Sequence, residues 1–155
     1  MKKRLTPSEA RQKLYRYCAY QERTHGEVRD KLYSLGLYKD DVEETITQLI
    51  TEGYLNEERF AKAFAGGKFR MKKWGKIKIT HELEARGITP YCIKAGLKEI
   101  DEHDYVQTLE HILEKKSLSV AAENPFVMRD KMAKYAIQKG FEPELVWRII
   151  KAAYK

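Results

Sequence analysis

The stretch ELEARG, residues 82–87, has two echoes in the chain, KLYSLG at 31–36 and YAIQKG at 135–140, and their closing glycines lie 51 and 53 residues apart. A glycine after a run of good helix formers can take the left-handed conformation that closes a helix. The residues after each glycine repeat as well. The sixth residue on is Val42, Ile93 or Val146, the tenth Ile46, Leu97 or Ile150, and the thirteenth Leu49, Ile100 or Ala153. That is one apolar stripe at helical spacing, found three times at one offset, and it predicts a threefold duplication.

Helix starts support the same division. Thr6-Pro7-Ser8-Glu9 has the form of a capping box with proline at the first helical position, and Thr24-His25-Gly26-Glu27 and Asp40-Asp41-Val42-Glu43 repeat the pattern. Asn56 precedes two acids, and Thr89-Pro90, Asn124-Pro125 and Glu142-Pro143 read as further starts. Alternating runs bounded by hairpin turns are not found, so strands are not expected. The prediction is an all-α protein of three tandem three-helix repeats forming an elongated, curved array, with units at 1–55, 56–100 and 101–155. Helices are placed near 7–22, 25–35, 41–52, 57–73, 76–86, 90–100, 102–117, 125–139 and 143–154. Lys115 to Asn124 is read as the one long connector, a loop on which the last unit pivots. Units of about 50 residues bury only marginal cores alone, so neighbours are expected to lean on one another.

Composition bounds the function. Of 155 residues, 43% are hydrophobic and 34% charged, which describes a folded chain with a heavily charged surface. No apolar run approaches the ~20 residues of a membrane span, and MKKRLTPSEAR passes from charge into a polar helix start, so no membrane association and a cytoplasmic location are expected. Cys18 and Cys92 lack metal-ligand spacing and read as reduced core thiols. His25, His81, His103 and His111 form no ligand motif, and Gly66-Gly67 lacks the strand and the Lys-Ser/Thr of a phosphate loop. Neither catalytic residues, nor a metal site, nor a cofactor is expected.

The net charge of +7 is concentrated. Residues 56–100 hold 11 basic against 5 acidic side chains, whereas the first third carries +1 and the last third is neutral. Within the middle third, KFRMKKWGKIK at 68–78 has six cations and no acid: Lys68, Arg70, Lys72, Lys73, Lys76 and Lys78. On a helix over 57–73, Phe60, Phe64, Gly67 and Met71 share a face while Lys68 and Lys72 share another, and Trp74-Gly75 breaks the helix so that all six cations gather. A solvated face is the ordinary fate of a charge run. Concentration in one unit points instead to a polyanion contact, with a salt slope of about −5 if all six meet duplex phosphates. Trp74 stacks on a base, plugs a groove in a protein partner, or pins the turn between two helices. Gly66-Gly67 serves either close helix packing or a kink. The six tyrosines of the first unit, Tyr15, Tyr17, Tyr20, Tyr33, Tyr38 and Tyr54, read chiefly as core packing with rim hydroxyls, and a single-strand platform near Arg16 and Arg23 is the alternative.

These residues also carry a resemblance. Gly53-Tyr54-Leu55-Asn56-Glu57-Glu58-Arg59-Phe60-Ala61, then Trp74-Gly75-Lys76-Ile77-Lys78-Ile79, then Glu82-Leu83-Glu84-Ala85-Arg86-Gly87-Ile88 resembles the RecX family of recombinase regulators. Glu27-Val28-Arg29-Asp30-Lys31-Leu32 to Gly36 matches its first-repeat pattern, with Val where Leu is common. The resemblance implies tandem three-helix repeats and no catalysis. It implies a partner, the RecA recombinase filament on DNA, whose growth, ATP hydrolysis and strand exchange the protein modulates, usually by inhibition, in recombination, DNA repair and the SOS response. On this reading the chain is a monomer, and Lys68, Arg70, Lys72, Lys73, Trp74, Lys76 and Lys78 face DNA or the acidic wall of the filament groove. Two alternatives stand beside it: a sequence-tolerant DNA-binding helical protein using trihelical units as readers, and a helical protein-binding scaffold without DNA contact.

Overall fold

The computed structural model describes residues 4–154; residues 1–3 and Lys155, the outer ends of the first and third units, lie outside the described residues. Nine helices and no strands are found among them: α1 (Pro7–Tyr20), α2 (His25–Ser34), α3 (Lys39–Thr51), α4 (Glu57–Lys72), α5 (Lys76–Ala85), α6 (Pro90–Leu97), α7 (Glu102–Ser119), α8 (Pro125–Gln138) and α9 (Pro143–Ala153). The fold is all-α, three three-helix repeats in tandem. The exposed surface is 9921 Å². A compact monomer of this mass exposes about 8,100 Å², so the repeats are strung out rather than balled up.

Local sequence accounts for most element ends. Both capping boxes form: the Glu9 amide donates to Thr6 Oγ1 at 3.2 Å and the Glu27 amide to Thr24 Oγ1 at 3.0 Å, with each glutamate accepting in return from the cap amide. The three closing glycines have φ of 91°, 76° and 102° at Gly36, Gly87 and Gly140, the left-handed region that disfavours any Cβ. Asn56 and Asn124 cap α4 and α8 through the amides of Arg59 and Val127.

Four expectations need correction. Helix α3 is capped by Tyr38 without a side-chain bond, and Asp40 and Asp41 fall in its first turn, where they interact with the positive end of the helix dipole instead of capping. Helix α7 runs to Ser119, not 117. The Ser117 and Ser119 hydroxyls close its last turn by donating to the carbonyls of Glu114 and Lys116, and the connector shortens to residues 120–124. This connector joins two helices of one core, pinned by buried Val120, so it is no pivot between units. The buried stripe of α4 is Phe60, Ala61, Ala65, Gly66 and Phe69; Met71, expected on the face of Phe60, is 82% exposed. None of the six tyrosines of the first unit is buried: Tyr15 and Tyr17 pack at the core edge, whereas Tyr20, Tyr33, Tyr38 and Tyr54 are exposed. Their hydroxyls and rings serve surface contacts, such as Tyr15 on Tyr54 at 4.6 Å between ring centres and Arg23 over Tyr17 at 3.7 Å.

The buried side chains form two clusters. One belongs to α1–α3: Ala10, Leu14, Cys18, Val28, Leu32, Leu37, Val42, Ile46, Leu49 and Leu55. The other is continuous from Phe60 to Ile150 and includes Ile79, Leu83, Ile93, Tyr105, Leu109, Met132, Phe141 and Val146. The second and third repeats therefore share a core, and the first closes its own. The two cysteines are free and buried in different clusters, and burial pushes the Cys18 thiol up.

A backbone contact joins the second and third repeats. The Gly75 amide donates to the Lys139 carbonyl at 2.8 Å and the Ile77 amide to the Gly140 carbonyl at 2.9 Å. A Cβ on Gly75 would lie 2.2 Å from the Gly140 carbonyl carbon, and one on Gly140 would lie 2.3 Å from Lys78 Cβ. Beside this contact the Lys76 amide donates to the Tyr105 hydroxyl oxygen at 2.9 Å, while that hydroxyl donates to the Glu142 carboxylate. Burial first, and then the bond to Glu142, hold the Tyr105 hydroxyl far above the ordinary tyrosine range. Gly96 sets a second close approach, its α-carbon facing the Ala61 carbonyl so that α6 lies tightly on α4.

Gly87 and Gly140 separate two costs. Both have positive φ, but a Cβ at Gly87 meets open space. Gly87→Ala is predicted to lose about 1–2 kcal/mol, the left-handed strain alone. Gly140→Ala adds overpacking of about 1–3 kcal/mol. Denaturant unfolding of the two variants measures the difference.

Candidate nucleic-acid interface

The basic segment is the end of α4, a three-residue turn and the start of α5. Helix α4 closes at Lys73, which has φ 56° and ψ 42°, with the Trp74 amide returning to the Lys68 carbonyl at 3.4 Å. This closing position is normally a glycine's. The break therefore falls at Lys73, one residue before the expected Trp74-Gly75. Helix α4 runs unbroken through Gly66 and Gly67: a Cβ on Gly67 meets nothing within 4 Å, and the atoms nearest one on Gly66 are those of the Arg70 guanidinium, from 2.8 Å.

The seven predicted residues divide into three groups. Lys68 and Lys78 flank the Trp74 indole, their ammonium groups 5.1 and 4.6 Å from its ring centre. Trp74 is half-buried and meets Phe64 edge-on at 6.4 Å, and Phe64 in turn carries Arg86 at 4.7 Å. Trp74 thus pins the turn, with a cation on either side worth about 0.5–1 kcal/mol each at an exposed site. Lys76 leaves the group: its ammonium pairs with Glu102 of the third repeat and lies 4.5 Å from the Tyr105 ring. The expectation that no acid relieves the six cations fails here, because the turn at Gly75 turns α5 toward α7. Arg70, Lys72 and Lys73 form the third group. All three are exposed, and none has a carboxylate partner among the described residues. Arg70 and Lys72 lie in the last turn of α4, where carbonyl ends attract cations by about 0.3–1 kcal/mol. That field is local and modest, and it does not neutralise the three exposed charges.

Sequence reasoning missed two cations at this place. Lys139 reaches back from the third repeat to the Lys72 carbonyl at 3.3 Å, and Arg86 covers Phe64. The only signal for Lys139 was its place beside a closing glycine. Among the described residues, no group of three or more His, Cys, Asp or Glu could hold a metal ion, and no helix is long and apolar enough to cross a membrane.

These features define a tandem three-helix-repeat protein with a cationic ridge on its middle repeat. The chain matches three family descriptions in order: the first three-helix domain of RecX over residues 10–49, the second over 56–97 and the third over 103–150. It belongs to the RecX family. It is 26% identical over 145 residues to the Regulatory protein RecX of Lactobacillus johnsonii, covering 94% of this chain and 54% of that one. To that of Bacillus cereus strain B4264 it is 24% identical over 130 residues, 84% of this chain and 48% of that one. The chain spans about half the length of these relatives. The crystal structure of RecX from Lactobacillus salivarius superimposes with a TM-score of 0.87 at 24% identity, over 94% of this chain and 95% of the other. The third repeat, which contributes none of the residues that carry the resemblance, is matched like the other two.

Lys73 allows stability and charge to be separated. Replacing it by glycine removes left-handed strain of about 1–2 kcal/mol, offset by glycine's greater unfolded freedom of roughly 0.5–1 kcal/mol. Lys73→Gly is therefore predicted to fold at least as stably as the parent in urea titrations, although it has lost a cation of the ridge.

Proposed function

We propose that this chain is a non-enzymatic cytoplasmic regulator that binds RecA-type recombinase filaments on DNA and restrains filament growth, ATP hydrolysis and strand exchange. Its working units are residues 1–55, 56–100 and 101–155, the middle one presenting the ridge Lys68, Arg70, Lys72, Lys73, Trp74 and Lys78, with Lys76 at its edge tied to the third repeat. The observation that carries the reading is the group Arg70, Lys72 and Lys73, open cations without carboxylate partners among the described residues, on the rigid end of α4 in a chain of the RecX family.

The ridge is better suited to phosphates than to bases. Its free donors are two ammonium groups and one guanidinium; Arg70 alone has the fork that reads a guanine edge, and no Asn or Gln stands among residues 68–78 to read an adenine. A string of repeats can also touch a helical polymer at several points, which raises the effective concentration of each contact and suits action at low occupancy. Lys76 differs from the rest: its ammonium is tied to Glu102 across the join between repeats.

Arg70→Glu with Lys72→Glu tests the reading, since neither side chain has a carboxylate partner to lose. In co-sedimentation with recombinase filaments on single-stranded DNA, the parent is expected to bind and to slow ATP turnover at substoichiometric ratios. The double variant should lose most of both effects and keep its helical content. DNA binding by the parent with no effect on the recombinase would favour the simple DNA-binding alternative. Filament binding indifferent to the variant and to DNA would favour the scaffold.

A further inference from the structure

Where α4 ends against the third repeat, the surface is hollowed into a cleft of about 470 Å³. Its walls come from three helices: Lys73 just past α4, Thr108, His111, Ile112, Lys115, Lys116 and Ser119 along α7, and Tyr135 and Lys139 on and after α8. Four lysines, one histidine and three hydroxyl-bearing side chains line it without a carboxylate. The third repeat is neutral by count, so its acids have been segregated to other faces. On α7 the spacing does this, because Thr108, His111, Ile112, Lys115 and Ser119 recur every three or four residues while Glu110 and Glu114 fall between them.

Cations packed round a concavity repel one another, and the low-dielectric walls focus their field. Inside the cleft the relief is slight. Lys116 and Lys139 lie 4.9 and 5.9 Å from the Tyr135 ring, and Lys139 donates to the Lys72 carbonyl. Lys115 has no carboxylate partner among the described residues, and it is exposed. From these observations we infer that the cleft binds the sugar–phosphate backbone of a single nucleic-acid strand, one nucleotide's worth of which enters it. The inference rests on the nucleic-acid contact proposed for the ridge and extends it to the third repeat.

Three features favour a strand over a free nucleotide. The donors are flexible ammonium groups and hydroxyls, whereas polyphosphates of nucleotides are usually cradled by backbone amides of a glycine loop; none of the lining residues is a glycine. No Asn, Gln, Asp or Glu is placed to read a base, while the half-exposed Tyr135 ring offers a stacking face that any base can use. Lys73 belongs to both ridge and cleft, so a strand lying along Lys72 and Lys73 passes into it without leaving positive surface. The volume is that of a small-molecule site, too small for the width of a duplex.

The test is titration of a fluorescent oligo-dT with the whole chain across a series of salt concentrations. The variants are Lys115→Gln with Lys116→Gln, and the ridge pair Arg70→Glu with Lys72→Glu, which does not line the cleft. Lys139 is left alone because it also ties the repeats together. The cleft variant should bind about tenfold more weakly, with its salt slope smaller by about 1.4, at ~0.7 per phosphate contact on single strands. In the unaltered protein, amide signals of Thr108, His111 and Ser119 should shift on adding the oligonucleotide. Binding and slope unchanged in the cleft variant, with signals still, overturn the inference; if the ridge variant then loses binding, the ridge reading survives. Saturation of those signals by inorganic tripolyphosphate but not by oligo-dT would make the cleft a site for free polyphosphate and overturn the strand. No binding of oligo-dT by the parent overturns both readings.

Discussion

Two glycines placed back to back determine how this molecule is put together. Gly75 lies in the turn between α4 and α5, Gly140 in the turn between α8 and α9, and the two turns are hydrogen-bonded through their backbones at a distance that leaves no room for a Cβ on either. A three-helix unit of this size buries too little apolar surface to stand firmly alone. By docking these turns, the second and third repeats merge their interiors into one cluster from Phe60 to Ile150, with Phe69, Tyr105 and Phe141 in ring contact across the join. The first repeat has no such partner and relies on its own devices: two capping boxes, and a leading segment in which the Arg4 side chain donates to the Gly36 carbonyl and the Tyr38 hydroxyl.

The same contact shapes the charged surface. Lys76 follows Gly75 directly, so docking carries its ammonium to Glu102 and takes it out of the ridge. Lys78 packs against Gly140 and turns its ammonium onto Trp74. What remains open is the end of α4, and beside it a cleft whose other walls belong to the third repeat. Positive potential is therefore a property of the joined pair of repeats, although the sequence assigns it to one.

Much of the fold was legible because it is written locally. A threonine three residues before a glutamate, a proline at a first turn, and a glycine at each close are chemical statements about single helix ends, and most helix starts fall where such signals stand. The exceptions are tertiary. Tyr38 caps α3 because Leu37, buried in the first core, fixes where the chain turns. Met71 shares a helical face with Phe60, yet the core ends before reaching it. Glu142 stands at the cap of α9 as Pro143 signals, but its carboxylate accepts from Tyr105 rather than from the helix. The site was half legible: composition located the cations, but which of them stay free depends on Glu102, Trp74 and Lys139, residues whose proximity no local pattern encodes.

If the glycine contact welds the last two repeats, they must open together. Native-state hydrogen exchange across increasing urea reads this directly. The slowest amides of α4–α6 and of α7–α9 are predicted to converge on one opening free energy and one denaturant slope, with α1–α3 on a separate isotherm. Separate isotherms for α4–α6 and α7–α9, each with a small slope, would contradict the account.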